Sequence, residues 1–319
     1  MKTPAKIPIA NLPTPIQKVE FKGVKFLIKR DDFTGTELSG NKIRKLDYIL
    51  ADVKKKKADY LFTSGGDQSN HARATAIAAR QIGVKTKLFL WGKDTSNPDG
   101  NLFLDKLVGT EIVFLSKKEY LNVNYIMLEE SKRMQKLGHK VYITPSGGST
   151  PLGLWGYMNF ISELKEQNYL TKIKGLCAAY GSGGTAAGML LGAAIEKSKT
   201  KIYVVNVLDD PEFVRSKIIE LVEDTIFEYK IDVKVDYKNL IILDGYSKEG
   251  YKNIDDEKLK LIKDFYKSTG ILFDPTYTGK AFYAFYDNFL KGKKSSNILF
   301  VHTGGLFGVF SKRKNYLEA

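Results

Sequence analysis

An α/β fold is predicted by three features of this 319-residue chain. Short β-branched or aromatic runs alternate with longer amphipathic stretches from end to end, the pattern of parallel strands joined by crossover helices. Hydrophobic residues make up 43% of the chain and charged residues 27%, with 18 Phe and 18 Tyr, which is ample material for a buried core. Twice an apolar strand runs into a glycine-rich turn that opens a helix, over 60–70 and 176–185, and open α/β sheets place their ligands at such carboxyl-end turns.

In chain order, alternation predicts a strand over 24–29, and apolar periodicity predicts a helix over 42–55. The next strand-to-helix units are 60–63 with 70–81, then strands at 87–91 and 111–115, a helix over 123–137 and a strand at 140–144. A helix over 153–164 follows. Strand 175–180 leads into helix 185–196, and strand 202–207 into helix 212–228; helices over 255–268 and 278–290 precede the last strand, 298–302. At about 150 residues per domain the length fits two units. No Pro, Gly or Ser linker is long enough to separate them in series, so the second is expected as an insertion.

Fifty basic and 36 acidic residues leave a formal charge of +14. Such a balance suits nucleic acid, an anionic surface or a solvated lysine-rich exterior. The lysines stand singly or in short runs, 54–57 and 291–294, at the ends of predicted helices where cations complement the macrodipole. No arginine-rich arm or heptad-linked basic region is present, so a basic nucleic-acid-binding protein rests on charge alone. The single Cys177 excludes an internal disulfide framework and a cysteine metal cluster, and is expected buried in a strand. Residues 1–15 carry four prolines and no apolar signal core, and the longest apolar stretches are about half of a membrane span. A cytoplasmic protein without a membrane segment is expected.

Four segments can carry chemistry. In AYGSGGTAAGM, Gly181, Ser182, Gly183, Gly184 and Thr185 form a phosphate cradle at a helix start, or only a tight strand-to-helix turn. It matches neither the P-loop nor the dinucleotide fingerprint. In SGGDQSNHAR, small donors at a helix start can hold a carboxylate, or Ser69 or Asn70 simply caps the helix. In SGNKIRKL, Lys42 opens a helix, where the dipole and desolvation lower an amine's pKa and make it nucleophilic. In FDPTYTGKA, Asp274 and Pro275 mark a turn, after which Tyr277 is a core aromatic or a site residue and Thr278 an N-cap or more; FVHTGG follows. The acid pairs Asp31/Asp32, Asp209/Asp210 and Asp255/Asp256 fit helix capping better than metal binding, and the three histidines lack metal-ligand spacing. No metal is expected.

Together, and in this order, these segments resemble the fold-type II pyridoxal-phosphate enzymes, within them the group of 1-aminocyclopropane-1-carboxylate deaminase and D-cysteine desulfhydrase. The resemblance runs from NLPTPIQ through KRDDFTG, SGNKIRKLDYIL, GGDQSNHARATA, PSGGSTPLGLWGY and GSGGTAAG to DPTYTGKAF and HTGG, leaving 211–270 least distinctive. It implies three-layer open twisted sheets of the tryptophan synthase beta-like fold, with a small domain, 47–157, inserted into a larger one made of 1–46 and 158–319. It further implies pyridoxal 5'-phosphate as cofactor, a small amino-acid substrate and a homodimer. By the same resemblance Lys42 bonds the cofactor aldehyde, and Gly181 to Thr185 hold its phosphate with Lys45 adding charge. Asn70 meets the phenolic oxygen and Thr278 the pyridine nitrogen. Ser69, Asn70 and His71 hold the substrate carboxylate with Gln68 nearby, and Tyr277 and Thr303 lie on the substrate side. Lys42, Tyr277 and Ser69 are implied to carry the chemistry.

Within the group, ring-opening deaminases have glutamate where this chain has Thr278, leucine where it has Thr303 and glutamine where it has His71. All three positions resemble the desulfhydrase. A neutral hydroxyl opposite the ring nitrogen leaves the pyridine largely unprotonated, a weaker electron sink that suits a good thiolate leaving group. The expected reaction is elimination from D-cysteine to pyruvate, hydrogen sulfide and ammonia, with Lys42 or Tyr277 removing the α-proton; ring opening to 2-oxobutanoate is the alternative. Asp67 departs from the small or apolar residue usual in the carboxylate loop, where an inward carboxylate would repel an anionic substrate. Phe307 and Phe310 are placed to reshape the pocket, which keeps β-chloro-D-alanine, D-serine or a sulfonated amino acid open as related substrates.

Overall fold

The computed structural model describes residues 3–293 and 295–318. Lys294, the last of the 291–294 lysine run, lies outside the described residues. In chain order the elements are β1 (Ile16–Phe21), β2 (Val24–Lys29), α1 (Lys42–Lys55), β3 (Tyr60–Gly66), α2 (Asn70–Gln81), β4 (Lys85–Trp91), α3 (Gly100–Leu107) and β5 (Glu111–Leu115). They continue with α4 (Lys117–Tyr120), α5 (Val123–Lys136), β6 (Val141–Ile143), α6 (Pro151–Glu166), β7 (Gly175–Ala179), α7 (Gly184–Ile195), β8 (Lys201–Val205), α8 (Pro211–Tyr229) and β9 (Leu240–Leu243). Last come α9 (Asp256–Thr269), α10 (Thr278–Phe285), β10 (Ser295–Val301), α11 (Leu306–Phe310) and α12 (Arg313–Glu318).

The strands form a six-stranded sheet in the order β1-β2-β10-β7-β8-β9 and a four-stranded sheet in the order β5-β4-β3-β6. The four-stranded sheet is parallel throughout. In the larger sheet only β1 runs antiparallel, pairing Phe21 with Val24 across a tight turn. Lys22 and Gly23 both take positive φ there, 48° and 75°, the geometry that lets a two-residue turn follow the strand twist. This edge hairpin corrects the expectation of parallel strands alone, since a KG pair between alternating runs is a weaker hairpin signal than NG or DG. The short β9, α3, α4, α11 and α12 also lie outside the predicted elements.

Period-two alternation in the central strands explains the layering. Leu176, Val204 and Leu299 face one core with Leu154, Phe160, Leu191 and Ile218. Their neighbours Cys177, Val205 and Phe300 face a second core, rich in aromatics, with Phe26, Phe265, Phe282 and Phe285. Helices therefore cover both faces of the sheet, giving three layers. Of the paired acids, Asp210 caps α8 and Asp255 caps α9 through their carboxylates.

Asp31 does something else: it is fully buried in an ionic cluster that anchors α1. Arg44 donates to Asp31 at 2.8 Å and to Glu163 at 2.8 Å, Lys29 meets Glu163 at 2.5 Å, and Tyr157 Oη donates to Asp31 at 2.6 Å. Burial alone would raise both carboxyls, but the Arg44 guanidinium, with Lys29, outweighs it and holds them below the usual range. Such carboxylates stabilise the fold above their unfolded pKa, and that contribution is lost as pH falls through the folded one. Arg44→Met should cost about 3–5 kcal/mol, because it strands buried negative charge. Denaturant unfolding at neutral pH checks this, and the loss should shrink on acidification below about pH 4.

Candidate active site

The carboxyl ends of β3, β7 and β10 and the first turn of α1 converge on a cleft of about 280 Å³. Lys42, Ser69, Asn70, His71, Gly181, Ser182, Tyr277 and Thr303 all line it. Lys45, Gly183 and Thr185 line a small adjoining recess shared with Lys42 and Gly181. A larger open groove of about 950 Å³ lies on the other side of α1, beside Tyr48, Asp52, Tyr142 and Tyr229, and neither glycine-rich turn opens into it.

Lys42 is the first residue of α1, behind an N-cap, Asn41, whose side chain makes no capping bond to the helix. Asn41 is otherwise occupied: its Oδ1 accepts from Lys42 Nζ at 2.9 Å, its Nδ2 donates to Thr185 Oγ1 at 3.0 Å, and its amide donates to the Thr303 carbonyl at 3.0 Å. Burial lowers the Lys42 amine to about 8, the Arg73 cation adds to this, and Asp274 opposes it. An amine poised this way is nucleophilic at neutral to mildly basic pH.

The 181–185 turn opens α7. Gly184 is required by packing, since a Cβ there would lie 2.5 Å from Ser149 Oγ and 2.7 Å from Lys45 Nζ. Lys45 is 1% exposed and donates to the Gly147 carbonyl at 3.0 Å and to Ser149 Oγ at 3.1 Å. Burial, then the Lys42 cation, pushes its pKa well down. A buried amine beside first-turn amides suits an anion, and an anion there would favour its charged form.

On the opposite wall, Ser69 caps α2 by accepting from the Ala72 amide at 3.1 Å, which leaves its O–H to donate. Asn70 Oδ1 accepts from Asn101 Nδ2 at 3.0 Å, so the cleft is offered the donor end of its amide. His71 lines the cleft, but its ring is engaged elsewhere. Its Nε2 lies 2.9 Å from Thr63 Oγ1, and burial, reinforced by Lys42 and Lys45, pushes its pKa well down and keeps it neutral. The ring therefore offers a carboxylate no positive charge, and its Nε2 is already engaged by Thr63. Gln68 departs further from expectation: its Nε2 donates to the Asp99 carbonyl at 2.9 Å and its Oε1 accepts from the Asn101 amide at 2.9 Å, so it ties down the start of α3.

Thr278 also differs from expectation. It is 1% exposed and does not line the cleft. Its hydroxyl donates to Asp274 Oδ1 at 2.6 Å and accepts from the Asp274 amide at 2.9 Å. With the proton committed to a carboxylate, only a lone pair remains for any further partner. Asp274 itself, which the sequence marked only as a turn, does line the cleft, and its carboxylate accepts from the amides of Thr276, Tyr277 and Thr278 at 2.8–2.9 Å. It presets the start of α10 and so the placement of Tyr277.

A second residue unseen in the sequence is Tyr251, whose Oη lies 2.5 Å from Tyr277 Oη. Burial pushes the Tyr277 phenol well above its ordinary value, Tyr251 adding to it, and burial takes Tyr251 up to about 12. Both phenols stay protonated, so the pair carries protons into the cleft that Lys42 also lines. The segment bearing Tyr251 is held by buried Lys280, which donates to the Gly250 carbonyl at 2.7 Å. Asp67 does not face substrate space: Lys252 neutralises it at 2.7 Å and lies 4.3 Å from the Trp91 ring centroid. Phe307 packs under the Arg73 guanidinium and Phe310 is half exposed, and neither lines the cleft.

A buried lysine with a lowered pKa in a cleft between two α/β sheets, beside a glycine-rich turn at a helix start, suits an enzyme whose lysine bonds a carbonyl group and whose turn holds an anion. The match to the family model "pyridoxal-phosphate dependent enzyme" spans residues 7–304, and the chain belongs to that family. It is 37% identical over 322 residues to the bifunctional D-cysteine desulfhydrase/1-aminocyclopropane-1-carboxylate deaminase of Arabidopsis thaliana, a mitochondrial protein, covering 95% of this chain and 79% of the relative. It is 38% identical to a putative 1-aminocyclopropane-1-carboxylate deaminase of Thermotoga maritima, over 97% and 99% of the two chains. A crystal structure of a homologue of that deaminase superposes with a TM-score of 0.89 at 34% identity, covering 99% of this chain and 96% of the other. The protein is a pyridoxal-phosphate-dependent lyase of amino-acid metabolism. Among the described residues no helix is long and apolar enough to cross a membrane.

Proposed function

We propose that this enzyme eliminates hydrogen sulfide from D-cysteine. The observation that carries the reading is a base and an acid in one cleft: the Lys42 amine near pKa 8 and the protonated Tyr277–Tyr251 pair. When bound, the cofactor holds the substrate amine through its aldehyde and takes up electron density from Cα. Lys42 would hold the cofactor, with the 181–185 turn and Lys45 at its phosphate and the Asn70 amide donors toward its ring oxygen. Ser69 would bind the substrate carboxylate through its free O–H. Lys42 then takes the α-proton, the Cβ–S bond breaks with its electron pair leaving on sulfur, the Tyr277 O–H donates a hydrogen bond to the departing hydrosulfide, and the Lys42 ammonium returns the proton that makes hydrogen sulfide. The released enamine takes up water and gives pyruvate and ammonia. The four-stranded sheet lies wholly within 60–143, which supports an inserted unit between the flanking segments, while the expected bounds 46/47 and 157/158 fall inside α1 and α6, and Leu154 and Tyr157 of α6 pack with the core of the larger sheet.

Ring opening of 1-aminocyclopropane-1-carboxylate is the second reading, and Asp274 favours it. A threonine backed by a buried carboxylate does not act as the isolated neutral hydroxyl that the sequence suggests, so Thr278 no longer argues for an unprotonated ring nitrogen. Thr303, on the cleft wall in place of leucine, still supports elimination. An anaerobic assay of the purified enzyme with D-cysteine, L-cysteine and 1-aminocyclopropane-1-carboxylate tests both. Pyruvate with sulfide from the D-isomer alone is expected, and 2-oxobutanoate in place of those products would replace this reading with the second.

A further inference from the structure

Ser149 belongs to no cleft wall, yet it joins three segments at the recess behind Lys42. Its Oγ accepts from the Gly184 amide at 3.1 Å and from Lys45 Nζ at 3.1 Å, and lies 2.7 Å from Ser182 Oγ. A hydroxyl has two acceptor lone pairs and one proton. With Lys45 as the ammonium that a phosphate dianion would favour, both lone pairs are taken by N–H donors, so the Ser149 proton must go to Ser182 Oγ. The proton of Ser182 is then free and cannot point back at Ser149. Ser182 is confined from the other side as well: Gly147 has φ +75°, and a Cβ there would lie 1.9 Å from Ser182 Oγ.

We propose that Ser149 is a positioning residue for the cofactor phosphate, acting by turning the Ser182 O–H into the 181–185 turn and by holding Lys45 and the Gly184 amide against it. This rests on the reading that the phosphate binds that turn. Ser149 would not touch the phosphate. It saturates the polar atoms behind the turn, so that the Ser182 hydroxyl, the open first-turn amides of α7 and the Lys45 charge are presented to an anion instead of to one another.

The test is to resolve the cofactor from wild type, Ser149→Ala, Ser182→Ala and the double variant, and titrate each with pyridoxal 5'-phosphate and with pyridoxal, which lacks the phosphate. Quenching of tryptophan fluorescence, to which Trp91 on the cleft wall and buried Trp155 contribute, together with the absorbance of the lysine-bound aldehyde, reports binding. Ser149→Ala should weaken the phosphate form about tenfold while moving pyridoxal less than about twofold, and should cost less than about threefold once Ser182 is already alanine. Equal losses for both ligands, an unchanged or tighter affinity for the phosphate form, or full additivity with Ser182→Ala would overturn the role. If wild type fails to prefer the phosphate form, the placement of the phosphate on 181–185 falls, and the role of Ser149 with it.

Discussion

Lys42→Ala is expected to abolish turnover, by at least about 10²–10⁴-fold, and yet to leave the unloaded chain more stable. The amine starts a helix where the dipole disfavours a cation, and burial, Arg73 and the dipole act in the same direction. A lysine whose folded pKa of about 8 lies below its ordinary 10.5 destabilises the fold below pH 8, and this penalty fades as pH rises towards the unfolded value. Removing the amine should therefore add about 1–3 kcal/mol at pH 7, a gain that disappears near pH 10 to 11. Thermal unfolding of the two unloaded proteins across pH reads this directly. In wild type, the rate of cofactor uptake should climb about tenfold per pH unit up to 8 and then level, because only the free amine attacks the aldehyde. A variant that retained both turnover and the aldehyde absorption band would remove Lys42 from the chemistry.

Asp274→Ala carries the second large effect. One carboxylate receives three backbone amides and the Thr278 hydroxyl, all within 2.6–2.9 Å. Losing it uncaps α10 and frees the turn that bears Tyr277, which should cost about 2–4 kcal/mol and at least about 10²-fold in turnover. Asp274→Asn should recover part of the stability, since one amide oxygen can still accept but its NH₂ group must face amide donors. Asp274 also holds the Lys42 pKa up, so the pH midpoint of cofactor uptake should move below that of wild type in both variants. A midpoint that stayed in place while activity fell would limit Asp274 to a capping role.

Strand 24–29 and helices 42–55 and 70–81 were legible to the residue because each carries apolar positions at its own period that are buried where it forms; strand 111–115 was legible from its apolar run, although only Leu115 in it is buried. The β1 hairpin was not, because its edge strand alternates polar and apolar residues among lysines and its turn pairs Lys22 with a single glycine. The cleft was legible as ordered motifs, and eight of the expected residues do share one wall-to-wall space. Tyr251 escaped notice because nothing in its neighbourhood marks it, and only the fold brings it to Tyr277, 26 residues away.

Local pattern determined the α/β class, the two glycine turns at strand ends and the lysine at a helix start, since backbone preference and apolar periodicity are properties of neighbouring residues. Hydrogen-bond direction was decided only by the tertiary structure. Whether Thr278 offers a proton or a lone pair, whether Gln68 and His71 are free for substrate, and whether Asp67 is an uncompensated charge all depend on partners distant in sequence or on turns whose geometry the fold imposes. A polar side chain has few donors and acceptors, and once the fold has assigned them, its residue type no longer says what remains for chemistry.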